Sequence, residues 1–285
     1  MENISTTSFR RAFDARGAVS PQLAEAADLL HEAGVNGTQV EADDLAKFDG
    51  PGLDAAGLDG AYAVQHLNIR RRIDAGAVVR GHKVGLTSKA MQEQLGVTEP
   101  DSGILLDRML IPNHATVAAG SLFQARVEAE FGVVVGTDLA ADDGPWDEAG
   151  VREHLSGTFL ALEILDTRYP SWLITLWKSI ADNASCASVV TGPVTGAVPA
   201  DRLKDLRIDL LVDGVEVAGG AGEAVLGDPI RSVVWLAERL RRSGLGLHRG
   251  DLVITGAVHA SVGLDGASEV RARSGEHEDV GVRLG

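Results

Sequence analysis

One cysteine in 285 residues, two tyrosines and an aromatic content of 4% mark what this chain is short of. The lone Cys186 excludes an internal disulfide and any multi-cysteine zinc or iron–sulfur centre within one chain. No histidine or second cysteine stands at a diagnostic spacing from it, so Cys186 is expected as a small buried apolar residue. Positive charge is scarce as well. Twenty-six Lys plus Arg face 41 Asp plus Glu, and the formal charge of −15 repels nucleic acid and anionic membranes. An anionic ligand must therefore be met by a cation held locally. No apolar run is long enough to span a bilayer, and the opening Met1-Glu2-Asn3-Ile4-Ser5-Thr6-Thr7 lacks the basic-then-apolar layout of a secretory signal. A cytoplasmic protein that engages neither nucleic acid nor membrane is expected. Internal repeats and low-complexity segments are missing, and so is a glycine-rich phosphate loop, because Gly244-Leu245-Gly246 follows a helical pattern where such a loop would open one.

What is present centres on Arg126-Val127-Glu128-Ala129-Glu130-Phe131-Gly132-Val133-Val134-Val135. With a period of two, Val127, Ala129, Phe131, Val133 and Val135 share one face, and Glu128 and Glu130 share the other. Their backbones lie roughly 6.5–7 Å apart at the usual strand rise. Glu163 interrupts a second apolar strand, residues 159–166, and offers a third carboxylate. Carboxylates buried without partners cost several kcal/mol, so a set of three on core-like strands requires cations, protons or water. Three converging acidic oxygens suit a hard divalent cation such as Mg²⁺ or Mn²⁺. A solvated acidic face is the plainer alternative, and the strands alone leave both open.

Residues 1–75 carry helical spacing. Ser20-Pro21 supplies an N-cap and a first-turn proline, Leu23, Ala27 and Leu30 repeat at core spacing, and Gly34 is placed to stop the helix. Gly50-Pro51-Gly52 breaks the chain, and a second long helix runs from Asp59 to about Ala75, with Arg70, Arg71 and Arg72 at its end. His66 shares a column with Tyr62 and Ile69, as a packed histidine would. From Val78 the period becomes that of a strand, and Ser88 is placed to cap a short helix carrying Met91 and Leu95.

Lys83, flanked by Val84, Gly85 and Leu86, is poorly placed to reach bulk water. A desolvated ammonium pairs with a carboxylate or loses pKa and becomes useful in proton transfer. An edge-strand lysine with its head in solvent is the ordinary alternative. Glu99-Pro100-Asp101-Ser102-Gly103 has turn composition, in which Asp101 would bond the backbone. A short helix is expected over residues 146–154, a Trp- and Tyr-containing linker over 167–179 and a run of small residues over 180–188. A hairpin turns at Asp213-Gly214, an amphipathic helix opens at Asp228-Pro229, and residues 253–257 read as a closing strand. His259, just beyond, is a candidate for a site, with ordinary packing as the plainer alternative.

Taken in order, several segments resemble one family. They are Gly81-His82-Lys83-Val84-Gly85-Leu86-Thr87-Ser88, Gln94-Leu95-Gly96-Val97, Pro100-Asp101-Ser102-Gly103, Arg126-Val127-Glu128-Ala129-Glu130, Ala161-Leu162-Glu163, Ala181-Asp182-Asn183-Ala184-Ser185-Cys186 and Thr255-Gly256-Ala257. The pattern, over roughly residues 58–260, is similar to the 2-keto-4-pentenoate (2-hydroxypenta-2,4-dienoate) hydratases of the fumarylacetoacetate hydrolase superfamily. The resemblance implies an α+β fold with a helical N-terminal region, residues 1–77, before a metal-binding catalytic region, 78–285, built on a rolled mixed β-sheet. It implies one Mg²⁺ or Mn²⁺ per chain on Glu128, Glu130 and Glu163, with Lys83 and Asp101 as proton carriers. Leu86 and Ser185 are implied at the substrate, a 2-oxo or 2-hydroxydienoate acid, and the assembly as a homo-oligomer. The implied reaction is hydration to a 4-hydroxy-2-oxo acid in the catabolism of aromatic compounds.

A sister chemistry, metal-dependent decarboxylation of a 2-oxo-dicarboxylate of the 4-oxalocrotonate type, shares most of the pattern. A non-catalytic scaffold with a structural cation is a third reading. C–C bond hydrolysis is less favoured, since no His–Glu pair is in evidence to activate water. Two stretches depart from the family pattern. Val258-His259-Ala260-Ser261 is expected to alter a pocket wall, and the charged tail Ser274-Gly275-Glu276-His277-Glu278-Asp279 to affect only the surface.

Overall fold

Three helices precede the first strand, in keeping with the change of period at Val78. The computed structural model describes residues 3–14, 19–49, 51–88, 92, 97–172, 174–196 and 198–285. Helices α1 (Ile4–Asp14), α2 (Pro21–Asn36) and α3 (Pro51–Asp74) precede strands β1 (Val79–Gly85), β2 (Asp101–Leu106), β3 (Leu110–Pro112), β4 (Thr116–Val117) and β5 (Arg126–Val135). The short helix α4 (Glu148–Glu153) leads to β6 (Leu155–Leu165). Helix α5 (Leu176–Ala181) is followed by β7 (Cys186–Thr191), β8 (Arg207–Val212) and β9 (Val215–Ala221). Helix α6 (Pro229–Arg241) then precedes β10 (Leu252–Ala257), β11 (Val262–Gly263), β12 (Glu269–Ser274) and β13 (His277–Leu284). The expected helix carrying Met91 and Leu95 lies outside the described residues. Among those residues no helix is long and apolar enough to cross a membrane.

The capping chemistry behaves as the sequence implies at most ends. The Ser20 side chain accepts from the Leu23 N–H with Pro21 in the first turn, and Asp228 caps α6 in the same way through the Ile230 N–H. Gly34 does not stop α2. The helix runs to Asn36, and Gly37, left-handed at φ 61°, closes it by donating to the Ala33 carbonyl. In α3 the helical angles break at Gly57, after which Tyr62, Ile69 and Ile73 form the buried column. His66 is packed among them, 5.1 Å edge-on to the Phe9 ring.

The strands make two sheets. One has the order β2-β1-β10-β5-β6-β7-β3, with β11 also paired to β5; the other runs β4-β13-β12-β8-β9. Both are mixed, since β1 is parallel to β10, β3 to β7 and β4 to β13, while their other pairs are antiparallel. The inner faces meet in one core in which Phe131, Leu160 and Leu162 pack with Leu210, Val270, Ala272 and Val282. The helical region forms a second cluster, with Leu23, Ala27, Leu30, Phe48 and Val64 closing over Tyr169 and Ala181.

Three expectations change here. Asp101 is not in a turn: it opens the fully buried strand β2, opposite Gly85 of β1. Residues 253–257 are not a closing strand, because β10 lies in mid-sheet between β1 and β5 and three strands follow it. The tail is not merely surface either. It forms the turn and start of β13, where buried His277 lies 3.0 Å from Thr158 Oγ1 and tilted against the Phe131 ring.

Candidate metal centre and active-site cavity

Strand register builds the acidic cluster. In the β5–β6 pair Glu128 stands directly opposite Glu163, and Glu130 lies two residues further along the same face of β5. Each of the three contributes a carboxylate oxygen lying within 4.8 Å of the other two. Glu130 and Glu163 are wholly buried, and Glu128 is partly exposed where it meets a cavity. The opposite face, Val127 to Val135, is apolar and buried, as alternation requires. The cluster is therefore not a solvated face.

Its oxygens are short of donors. Glu130 Oε2 accepts a 2.7 Å bond from the Gly256 N–H, but Glu130 Oε1 and both Glu163 oxygens have no hydrogen bond among the described residues. Gly256 is needed for that bond. Its φ of 107° favours glycine, and a Cβ there would stand 2.1 Å from Thr87 Oγ1. Burial, then Glu163, pushes the Glu128 carboxyl up to about 8; burial, with Glu163 and Glu128 beside it, holds Glu130 well above the usual carboxylate range. Three all-oxygen, donor-poor carboxylates at this spacing fit a hard divalent cation, and a single water offers too few protons to satisfy them.

Lys83 approaches from β1. It is 3% exposed, and its Nζ lies 3.3 Å from Glu163 Oε1. Strand β1 is flanked by β2 and β10, so the edge-lysine alternative falls. Burial alone would lower the ammonium's pKa, but the attraction of Glu163 and Asp101 outweighs it and Lys83 is held above its ordinary range. Of the two fates open to a desolvated lysine, pairing prevails. Asp101 is raised by burial, an effect that Lys83 and the Ser179 hydroxyl oppose. Ser179 Oγ donates to Asp101 Oδ2 at 2.9 Å. Gly85 admits this approach, since a Cβ on it would fall 2.3 Å from Asp101 Oδ1 and 2.9 Å from Lys83 Nζ.

These groups open onto a cavity of about 480 Å³ lined by Lys83, Asp101, Glu128, Leu86, Ser185 and Arg126, among others. All seven sequence-derived site residues are thus brought together, five on the wall and Glu130 and Glu163 behind Glu128. The walls are strained. Leu86, Trp172, Ala184 and Ser185 all have positive φ, between 53° and 56°, at about 1–3 kcal/mol each for residues with a Cβ. Ser185 Oγ, on a side chain 3% exposed, has no hydrogen-bond partner among the described residues. A larger cavity, about 880 Å³ between α1, α3 and α6, holds none of the site residues.

Sequence reasoning missed Ser179 and the cation Arg126. Ser179 fell in a stretch that reads as a linker but folds as α5, and its only signal was the N-cap Thr175. The altered stretch Val258-His259-Ala260-Ser261 does supply wall, through Ala260 and Ser261. His259 is a brace instead of a site residue. Its Nε2 accepts from the Ala129 N–H at 3.2 Å while Nδ1 faces the Ala260 carbonyl at 2.8 Å, and burial lowers its pKa. Cys186 is buried, and burial, with Glu163 nearby, holds its thiol well above the usual range.

The family model for the fumarylacetoacetate (FAA) hydrolase C-terminal region matches residues 80–285. The chain is 40% identical over 201 residues to the 2-keto-4-pentenoate hydratase of Paraburkholderia xenovorans (strain LB400), covering 70% of this chain and 74% of that one. It is 35% identical over 250 residues to that of Burkholderia vietnamiensis (strain G4 / LMG 22486), covering 88% and 92%. Among solved structures, the 4-oxalocrotonate decarboxylase from Pseudomonas putida G7, complexed with magnesium and adipate, superposes with a TM-score of 0.84 at 29% identity, over 94% of this chain and 99% of that one. A match through the whole strand-rich part, together with relatives above 30% identity along most of the chain, places this protein in the fumarylacetoacetate hydrolase family, among its 2-keto-4-pentenoate hydratases.

Proposed function

We propose that the chain is a divalent-metal-dependent hydratase that adds water to 2-hydroxypenta-2,4-dienoate, or a substituted analogue, to give a 4-hydroxy-2-oxo acid. The observation that carries this reading is the meeting of Lys83 and Asp101 with three donor-poor glutamates in one cavity. Glu128, Glu130 and Glu163 would hold one Mg²⁺ or Mn²⁺, and the bound ion would supply Lewis acidity to the carboxylate and 2-oxygen of the substrate. The hydratase relatives support the choice of substrate class. A cytoplasmic homo-oligomer is the setting that this reading implies.

The remaining steps fall to the chain's own groups. The dienol loses its 2-hydroxyl proton and gains one at C5, giving a 2-oxo-3-enoate; water then adds, hydroxyl to C4 and hydrogen to C3. Lys83 Nζ presents protons at the cavity wall. Ser179 fixes Asp101 Oδ2, which leaves Oδ1, beside the Gly85 backbone and without a well-formed hydrogen bond, to hold or release a proton. Ser185 Oγ is free to bond a substrate oxygen, and Leu86 offers an apolar surface to the carbon chain.

Decarboxylation of a 2-oxo-dicarboxylate is the second reading, favoured by the close superposition on the 4-oxalocrotonate decarboxylase. One assay separates them. With Mg²⁺ present, the hydratase consumes the dienoate's ultraviolet absorbance without releasing CO₂ from 4-oxalocrotonate; CO₂ release without dienoate turnover would reverse the ranking.

A further inference from the structure

The cavity contains a cation that the proposed chemistry has not used. Arg126 opens β5 two residues before Glu128, on the same face of the strand, and lines the cavity with Lys83 and Glu128. It is held from two sides. Its Nε donates to Ser261 Oγ at 2.7 Å and its Nη2 to the Ser261 carbonyl at 2.7 Å, while the guanidinium lies over the Trp172 ring, 6.0 Å from the centroid. Trp172 is itself fixed by its Nε1 bond to the Gln124 carbonyl at 2.9 Å.

Those contacts spend two of the three guanidinium nitrogens and leave Nη1 with no partner among the described residues. None of them is to a carboxylate, although the Arg126 charge acts on Glu128 two residues along the strand and opposes the rise in its pKa. Arg126 makes no ion pair with any described carboxylate, in a chain whose formal charge is −15. Lys83, the other cavity cation, is paired with Glu163. Charge balance gives the vacancy a sign. Three ionised glutamates, a divalent cation and Lys83 sum to zero, and Asp101 on the same wall adds a negative charge whenever it is ionised, so an arriving carboxylate lacks a counter-charge unless Arg126 provides it. A guanidinium whose rotamer is already fixed, on the wall of a cavity, is suited to receive that group with little further loss of freedom.

We infer that Arg126 is the substrate-carboxylate receptor of this cavity, set in place by Ser261 and Trp172. The carboxylate is either the one beside the 2-oxygen or one at the far end of a dicarboxylic substrate, and the two are separable by experiment. The inference rests on the proposed binding of a 2-oxo acid, and the test keeps the two apart.

The probes are 2-oxopentanoate, a monocarboxylate, and 2-oxoadipate, a dicarboxylate, each titrated calorimetrically into Mn²⁺-loaded full-length protein. Wild type is compared with Arg126→Gln and Arg126→Lys, and Mn²⁺ affinity is measured on each as the control for an intact cluster. Arg126→Gln should weaken binding by about tenfold to a hundredfold, the range for losing a charged hydrogen-bond partner. Arg126→Lys, which keeps the charge but not the fork, should recover part of it. Equal loss for both probes assigns Arg126 to the carboxylate common to them; loss confined to 2-oxoadipate assigns it to the far end. Unchanged affinity for both probes, with Mn²⁺ still bound, overturns the inference and leaves the proposed function standing. If wild type with Mn²⁺ binds neither probe, the proposed function fails and this inference falls with it. Should Arg126→Gln lose Mn²⁺ as well, Arg126 belongs to the cluster's own stability and the assignment to substrate is wrong.

Discussion

In the five-stranded sheet, exposed Arg207 on β8 reaches Asp209 at 2.6 Å and Glu216 on β9 at 3.1 Å, and Arg271 and Arg273 of β12 reach Glu269 and Asp279 in the same way. In the other sheet, β5 and β6 bury glutamates of whose four oxygens only Glu130 Oε2 accepts a hydrogen bond among the described residues, and whose single cationic neighbour at salt-bridge distance is Lys83. Charge that faces water here is paired although water would have solvated it. Charge in the interior is left wanting, where the shortage costs several kcal/mol. Folding alone favours neither glutamate at 130 or 163, so their presence points to a ligand that completes them. Partners and burial alone thus tell solvated, paired charges from carboxylates arranged to hold a ligand.

The contrast breaks most visibly at Glu163. Glu163→Gln should abolish binding of Mn²⁺ and reduce dienoate hydration to background, and because buried Lys83 loses its ion-pair partner the metal-free variant should also melt below metal-free wild type. Lys83→Met keeps the side-chain volume but not the proton. It should cost about a hundredfold to ten-thousandfold in kcat with Mn²⁺ affinity retained, as steady-state kinetics and metal titration would measure. Ser179→Ala removes one hydrogen bond from Asp101 and should lower kcat by about tenfold, with far-ultraviolet circular dichroism unchanged.

Acidity sharpens the same comparison. The Glu128 carboxyl is raised from its ordinary 4.5 to about 8, and Glu130 is raised as well, so between those pH values the folded, metal-free chain binds more protons than the unfolded one. Stability contributed by these two groups is present at pH 4.5 and below and is lost as pH climbs through the folded pKa values. The melting temperature of chelated protein, followed by calorimetry from pH 5.5 to 8.5, should therefore fall with rising pH, and Mg²⁺ should restore it most at the alkaline end. A flat profile would deny the cluster its strain. The smallest effect belongs to the other sheet: Arg207→Ala should change neither the melting temperature nor turnover.

The alternation in residues 126–135 already disclosed which side chains of β5 share a face, and Glu163 stood out because a charge interrupts an apolar strand. Local composition could state that much, since a strand's two faces follow from its period. It could not state that Glu128 lies opposite Glu163, a matter of register between strands about 35 positions apart in sequence. Asp101 was misjudged because Glu-Pro-Asp-Ser-Gly has turn chemistry, whereas pairing with β1 draws it into the core. Ser179 and Arg126 needed the third dimension outright. The hydroxyl matters only because α5 packs on the start of β2, and the guanidinium only because residue 261 returns to meet it.

Calorimetric titration of chelator-stripped protein with Mn²⁺ tests the central claim most directly. One ion bound per chain, with the heat signal gone in Glu163→Gln, is the predicted result. No binding to the wild type, or an unchanged isotherm in the variant, would contradict it.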